Sequence, residues 1–546
     1  MGAPTASPVS ARLRMLAVAA GVALALLGIA GQLVRLALVQ SGETRTASAE
    51  PITRTFSRPD IVDRNGHLIA TDVVGHSLFA DPAMLLDADE AAERLARTLP
   101  GLDAAELRRQ LADRNRRFLW IRRGLTPLEA QRVHDLGLPG LGFRREPRRV
   151  YPGGTLVGHI VGQVSPDNRG VAGIELNIDE TLRSEAVQGA MGLVAGAPLR
   201  LSLDLGVQHA LADELATAAR RYRASGAGGV VMEASSGEIV AAYSWPPIDP
   251  NVPGAALDRS KPDRVQGGVY ELGSILKAMT VAMAIDDGLA TLGKTYDIAQ
   301  PIVFGPHTVR DLHPHPGPMT VRDIFVRSSN VGAASIALEA GTERQLVFLA
   351  RMGLLEPIRT EVGPVAPPLL PARWGKAETA TIAFGHGLAV APMQLVAAAA
   401  SLVNGGRRVK PTFIAVGRPN VEGEQVLKPR TSDAMREIMR LNVTLPYGTG
   451  RRADVAGYRV GGKTGTAEMP GKGGYQSKAV IASFLGALPM EAPRYVVLVS
   501  LYEPQPEDEA KGGITAGLNA APVTGAVIAR IAPILGILPR RLEAGP

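Results

Sequence analysis

Ser274 and Lys277 stand three residues apart, where a glycine-rich approach (Gly267, Gly268, Gly273) runs into an apolar stretch ending at Gly288. From Ser274 to Asp287 there is neither proline nor glycine, and Ala, Met, Ile and Leu dominate, which predicts a buried helix closed by Gly288. On the first turn of that helix a spacing of three rotates Lys277 by only about 60° from Ser274, so amine and hydroxyl share a face. Apolar neighbours would desolvate the amine. A free lysine titrates near 10.4, so neutrality at pH 7 needs a shift of roughly 3 units, about 4 kcal/mol, within the range of buried lysines. A neutral Lys277 could take the proton of Ser274, and the N–H groups of the helix start could stabilise an oxyanion. That is the chemistry of a serine acyl transferase.

A Ser-x-x-Lys tetrad arises by chance about once or twice in a chain this long, so the pair needs company. Ser328-Ser329-Asn330 comes next, ahead of a predicted helix from Val331 to Leu338. Lys463-Thr464-Gly465-Thr466 follows, ahead of a strand-like run from Ala479 to Leu485. In order and context the three motifs resemble those of penicillin-binding proteins and related beta-lactamases. Nearly the whole chain resembles the class B penicillin-binding proteins, most closely the septal (FtsI-type) peptidoglycan D,D-transpeptidases. The likeness rests also on Val269-Tyr270-Glu271-Leu272-Gly273 before the nucleophile, Phe384-Gly385-His386-Gly387 with Pro392 and Gln394, and Gly461-Gly462 before Lys463.

The resemblance implies a substrate peptide ending in D-Ala-D-Ala. Ser274 would attack the penultimate carbonyl and expel the terminal D-Ala, and the acyl group would pass to an amine of a neighbouring stem peptide. It places a proton-relay hydroxyl at Ser328, an amide holding substrate and Lys277 at Asn330, and positive potential at Lys463. Thr464, Gly465 and Thr466 match substrate-binding positions, the two threonines where the terminal carboxylate binds. The N–H groups of Ser274 and Thr466 match the oxyanion hole. The implied partners are lipid-linked and nascent peptidoglycan stem peptides, beta-lactam antibiotics, the membrane, and a polytopic septal glycan polymerase with other division proteins. No cofactor, metal or nucleic acid is expected. Asp311-Leu312-His313-Pro314-His315 and the closely spaced Ser328-Ser329-Asn330 resemble the septal group more than the elongation group, which remains an alternative, as does a noncatalytic penicillin-binding scaffold.

The elements that must position these residues follow from patterning. The 546 residues, 46% hydrophobic and 20% charged, can bury a large core and more than one domain. Zero cysteines exclude disulfides and thiolate chemistry, and a net charge of +7 without a long aromatic-interleaved basic run gives no nucleic-acid signature. Met15 to Val34 is uncharged and follows Arg12 and Arg14, long enough for one retained membrane span rather than a signal peptide cut near Ala47-Ser48-Ala49. The expected organisation is a cytoplasmic tail (1–14), a transmembrane anchor (15–38), an elongated pedestal (39–197) and a penicillin-binding transpeptidase domain (198–546). The catalytic domain is then periplasmic, on the inner membrane at the division septum.

The fold class is α+β, with strands expected at Gly229–Met232, Ile239–Tyr243, Ile481–Leu488 and Tyr495–Leu501 in one antiparallel sheet. Helices would start at Ser274 and span Pro392–Asn404 and Pro522–Ile537. In the pedestal, Asn65-Gly66 predicts a tight hairpin between Asp60–Arg64 and His67–Ala70. Arg148, Tyr151, Pro152, Gly170, Gly173 and Glu175 resemble the family's remaining pedestal motifs and are expected to form an interdomain polar core. Pro59 after Arg58 departs from the family's glycine.

Other chemistries fit less well. Gly457 to Thr464 satisfies a phosphate-binding Gly-x4-Gly-Lys-Thr pattern, but that motif needs a helix at the lysine, and Gly465, Pro470, Gly471, Gly473 and Gly474 follow instead. His307, Asp311, His313 and His315 have metal-ligand side chains, yet prolines 314 and 316 favour an ordinary loop. No Glu-x-x-Leu-Asn follows Asn330 to supply a class A beta-lactamase glutamate.

Overall fold

The structure, a computed structural model, describes residues 16, 17, 19–32, 58–182, 197–305, 307–417, 423–471, 474–507 and 513–540. The chain divides into two units, Met1–Arg58 and Pro59–Pro546. In the first, residues 16, 17 and 19–32 are helical, with Leu16, Leu24 and Leu27 exposed. No described helix is long and apolar enough to cross a membrane. The expected anchor, 15–38, lies partly outside the described residues.

The second unit opens with strands β1 (Ile61–Val62) and β2 (Leu68–Ala80), paired antiparallel with Ile61 opposite Ala70. The expected hairpin is there, but its turn is longer than two residues. Asp63 donates its N–H to the carbonyl of His67 (2.8 Å), Gly66 donates to that of Asp63 (3.1 Å), and Gly66 alone of the turn takes a positive φ, 90°. The Asp63 carboxylate explains the preference, because Oδ1 accepts from the N–H groups of Asn65 and His67, both at 2.8 Å. Strands β3 (Leu119–Leu125) and β4 (Leu141–Val150) flank β2, and β1 pairs in parallel with β5 (Leu199–Arg200). The helices 88–98 and 104–111, capped by Asp87 and Asp103, close a separate small core around Leu78, Leu95 and Leu107.

Arg149, one residue beyond the expected Arg148, forms the polar core of this module. Its fully buried guanidinium donates to Glu175 (2.7 Å), Asp72 (3.3 Å) and the carbonyl of Pro59 (2.9 Å). Arg148 instead reaches the carbonyl of Gly124. Successive strand residues point to opposite faces, so a one-position shift changes the set of partners.

After β5 come α1 (Leu205–Arg221), β6 (Gly226–Glu233), β7 (Ile239–Trp245), α2 (Lys277–Asp286), α3 (Val321–Arg327), α4 (Asn330–Ala340) and α5 (Pro392–Val403). The chain continues with α6 (Pro429–Thr444), β8 (Gly461–Gly471), β9 (Gly474–Leu488), β10 (Tyr495–Tyr502) and α7 (Ala520–Ile534). Five strands form an antiparallel sheet in the order β8-β9-β10-β6-β7. Along β6 and β10, Val231, Val497 and Val499 pack on the side of α1 and α7, while Val230, Met232 and Leu498 join α2 and α5. Both faces are therefore buried, and the strands read as continuous apolar runs rather than alternations. The four expected strands are all present. The fifth, β8, carries Lys463-Thr464-Gly465 itself, a segment whose glycines suppress its strand signal.

Candidate active site

Ser274 lies on a 3-10 turn, Gly273–Leu276, that leads into α2, rather than in the first turn of the α-helix itself. In a 3-10 turn, residues three apart eclipse each other, so Lys277 comes directly over Ser274. Lys277 Nζ is 2.6 Å from Ser274 Oγ, 3.1 Å from Ser328 Oγ, and 3.0 and 2.7 Å from two acceptors that cannot donate, the Ser328 carbonyl and Asn330 Oδ1. Donation from Asn330 Nδ2 to the Arg310 carbonyl (3.1 Å) fixes the amide so that Oδ1 faces the lysine. A neutral amine has two N–H donors and one lone pair. The two obligate acceptors use the donors, and the lone pair faces a serine proton. Burial pushes the Lys277 amine down to about 7 from 10.5, with the Asp311 carboxylate opposing that fall.

Ser328 and Ser329 form the two-residue joint between α3 and α4. Ser328 is the first of them. It ends α3 in the left-handed region (φ 64°, ψ 42°), and Ser329 immediately caps α4 by accepting from the N–H of Gly332 at 2.9 Å. A non-glycine residue there is strained by roughly 1–3 kcal/mol. The geometry presents both its hydroxyl and its carbonyl to Lys277.

Three glycines let the walls of the site meet. A Cβ at Gly465 would stand 2.2 Å from the Leu272 carbonyl oxygen, one at Gly273 2.7 Å from that of Thr466, and one at Gly385 2.0 Å from that of Gly273. Strand β8, the Gly273–Leu276 turn and the Phe384–Gly387 loop are thus in backbone contact. The Phe384 ring lies 6.0 Å from Lys277 Nζ, and Glu271 accepts from the N–H of Gly387 and sits 3.4 Å from His386 Nδ1.

On β8, Lys463 is fully buried with Nζ 3.2 Å from the Thr464 carbonyl and 5.7 Å from the Phe325 ring centre. Burial, reinforced by the nearby Lys277, pushes its pKa well below the ordinary lysine range. Thr466 Oγ accepts from the N–H of Ala516 (2.9 Å), which leaves its own proton to donate. Thr464 instead donates to Thr449 (2.7 Å), whose hydroxyl passes to Asn442 Oδ1 (3.0 Å). Asn442 also donates to the Gly462 carbonyl (2.8 Å) and so holds the edge strand. Neither Thr449 nor Asn442 carries a local sequence signal. The phosphate-binding alternative fails here, since Lys463 lies within a strand and starts no helix.

Among described residues no group of three or more His, Cys, Asp or Glu could hold a metal, and the side chain of His307 lies outside them. Asp311 turns inward to Ser329, Asn330 and Val331.

Residues 227–524 match the penicillin-binding protein transpeptidase domain. The chain belongs to that family. Residues 54–193 of this penicillin-binding protein match the penicillin-binding protein dimerisation domain. It is 39% identical over 490 residues to the "Probable peptidoglycan D,D-transpeptidase FtsI" of Caulobacter vibrioides, covering 88% of this chain and 82% of that one. It is 32% identical over 526 residues to the "Probable peptidoglycan D,D-transpeptidase PenA" of Neisseria gonorrhoeae (92% and 88%). It is also 29% identical over 531 residues to the "Peptidoglycan D,D-transpeptidase FtsI" of Escherichia coli K12 (93% and 88%). A peptidoglycan synthetase structure from Bifidobacterium adolescentis shares the fold, with a TM-score of 0.66 at 23% identity over 90% of this chain and 97% of that one.

Proposed function

We propose that this penicillin-binding protein is a peptidoglycan D,D-transpeptidase that cross-links stem peptides through an acyl-enzyme on Ser274, acts in septal wall synthesis and is a target of beta-lactams. The observation that carries the reading is the buried Lys277 amine, 2.6 Å from Ser274 Oγ with both its N–H groups matched to fixed acceptors. Lys277 takes the Ser274 proton as Oγ attacks the penultimate carbonyl of a D-Ala-D-Ala terminus. The N–H groups of Ser274 and Thr466 receive the oxyanion. Ser328 relays the proton to the departing D-Ala amine, and Asn330 holds the substrate backbone. Thr466, with a hydroxyl proton to spare, binds the terminal carboxylate together with Lys463, and Thr464 joins them by turning its hydroxyl away from Thr449. A carboxylate beside Lys463 favours its protonated form, so the substrate itself would restore the charge that burial removes. An amine of a second stem peptide then takes the acyl group, and Ser274 recovers its proton.

The relatives named FtsI support the septal assignment. A single-pass anchor at 15–38, a pedestal at 39–197 and a periplasmic transpeptidase domain at 198–546 belong to this reading. So does a partner glycan polymerase in the membrane, because neither matched domain is a glycosyltransferase.

A labelled penicillin should form a covalent adduct with the full-length protein at Ser274, seen by intact mass and peptide mapping, and Ser274→Ala should abolish it. Persistent labelling of that variant at another serine would sink the nucleophile assignment. Cross-linking of lipid-linked peptidoglycan by the protein with a polymerase separates an enzyme from a scaffold that only acylates.

A further inference from the structure

We infer that Asp311 is the positioning residue of the second motif: its one carboxylate grips the start of α4 and thereby sets where Ser328 and Asn330 meet Lys277. Oδ2 accepts from the hydroxyl of Ser329 at 2.7 Å. Oδ1 accepts from the N–H of Val331 at 3.0 Å and from that of Asn330 in a short contact. These two N–H groups are among the four that a helix start leaves without internal partners, and the positive potential there favours an anion. The cap residue Ser329 serves a different N–H, since its oxygen accepts from Gly332. The adjoining Arg310 carbonyl takes the Asn330 amide N–H, so residues 310 and 311 together hold both the backbone and the side chain of Asn330. The inference rests on the serine-acylation reading above, since positioning matters only if Lys277 is the base.

A helix cap alone would affect stability. Asp311 does more, because its charge reaches the base. The groups facing Lys277 are Ser274 on its own turn, Ser328 and Asn330 from α3 and α4, the Phe384 ring, and the cation Lys463 from β8; Asp311 is the anion that opposes its loss of a proton.

The test is the pH dependence of acylation of the full-length protein by labelled benzylpenicillin. Asp311→Asn keeps an oxygen for the two N–H groups and removes the charge. The Lys277 amine then loses its proton more easily, and the acidic limb of the rate profile should move to lower pH by about half a unit or more. Asp311→Ala removes the grip as well, and its plateau rate should fall about tenfold or more below that of Asp311→Asn. A limb unmoved in Asp311→Asn, or a wild-type plateau in Asp311→Ala, overturns the inference. Thermal unfolding run in parallel shows that Asp311→Asn is folded, so its profile decides even if Asp311→Ala is not. Labelling that survives Ser274→Ala is a separate result, and it would remove the underlying reading instead.

Discussion

At the scale of single residues the proposed mechanism depends on a base that is buried to be useful. Lys277 holds its proton up to about pH 7 when folded and up to its ordinary 10.5 when unfolded. Between those values the unfolded chain binds more protons, so stability rises with pH from about 7 to 10.5, and below 7 the burial costs on the order of 5 kcal/mol. The same titration governs rate. Acylation should climb about tenfold per pH unit below 7 and level off above it. Lys277→Arg, whose guanidinium cannot give up its proton, should acylate hardly at all despite keeping a cation. A flat profile from pH 5 to 8, or near-normal labelling of Lys277→Arg, rejects the neutral-lysine base. The approach of Lys277 to Ser274 was legible because the two sit within one turn. The contacts of Asp311, Thr449 and Asn442 were not, since each acts on a residue distant in sequence; Asp311 stood out only within the Asp311–His315 run and as a candidate metal ligand.

At the scale of elements, the catalytic geometry is a set of backbone approaches more than a set of side chains. Strand β8 presses on the nucleophile turn at Gly465, where a Cβ would stand 2.2 Å from the Leu272 carbonyl and 2.8 Å from Ile275 Cγ1. Gly465→Ala should therefore push the strand off the turn, separate the N–H groups of Ser274 and Thr466, and slow acylation by about a hundredfold or more. Gly293→Ala, at a position with no atom within 4 Å and no positive φ, serves as the harmless control. Equal acylation rates in the two variants would show that the close approach is dispensable. The central strands and the α+β class were legible from apolar runs of β-branched residues. Strand β8 was hidden because the glycines that permit the approach also erase the strand pattern. The helix that follows Ser274 was placed correctly, but its 3-10 opening was missed, since Ser274, Ile275 and Leu276 suit either helix type.

At the scale of the whole second unit, the pedestal and catalytic modules share a core across the expected boundary at 197. Ile61, Ile69, Ile174 and Ile178 on one side are continuous with Leu201, Met232, Ile239 and Ile275 on the other. Polar contacts tighten the joint: Asn65 donates to Asp204 (2.9 Å), Leu205 N–H to Asp63 (3.2 Å), and Gln163 to the carbonyls of Pro250 (3.0 Å) and Val252 (2.6 Å). Damage to the pedestal should therefore reach Ser274. Arg149→Met leaves Glu175 and Asp72 buried beside an apolar side chain, a change that costs about 3–5 kcal/mol. Unfolding followed by circular dichroism and by loss of penicillin labelling should move down in temperature together. Pairing Arg149→Met with Glu175→Met removes one of the stranded charges and should recover part of the loss. If labelling instead persisted well above the circular-dichroism transition of Arg149→Met, the catalytic module would be folding on its own. The shared core would then be a contact surface between independent domains rather than a structural union.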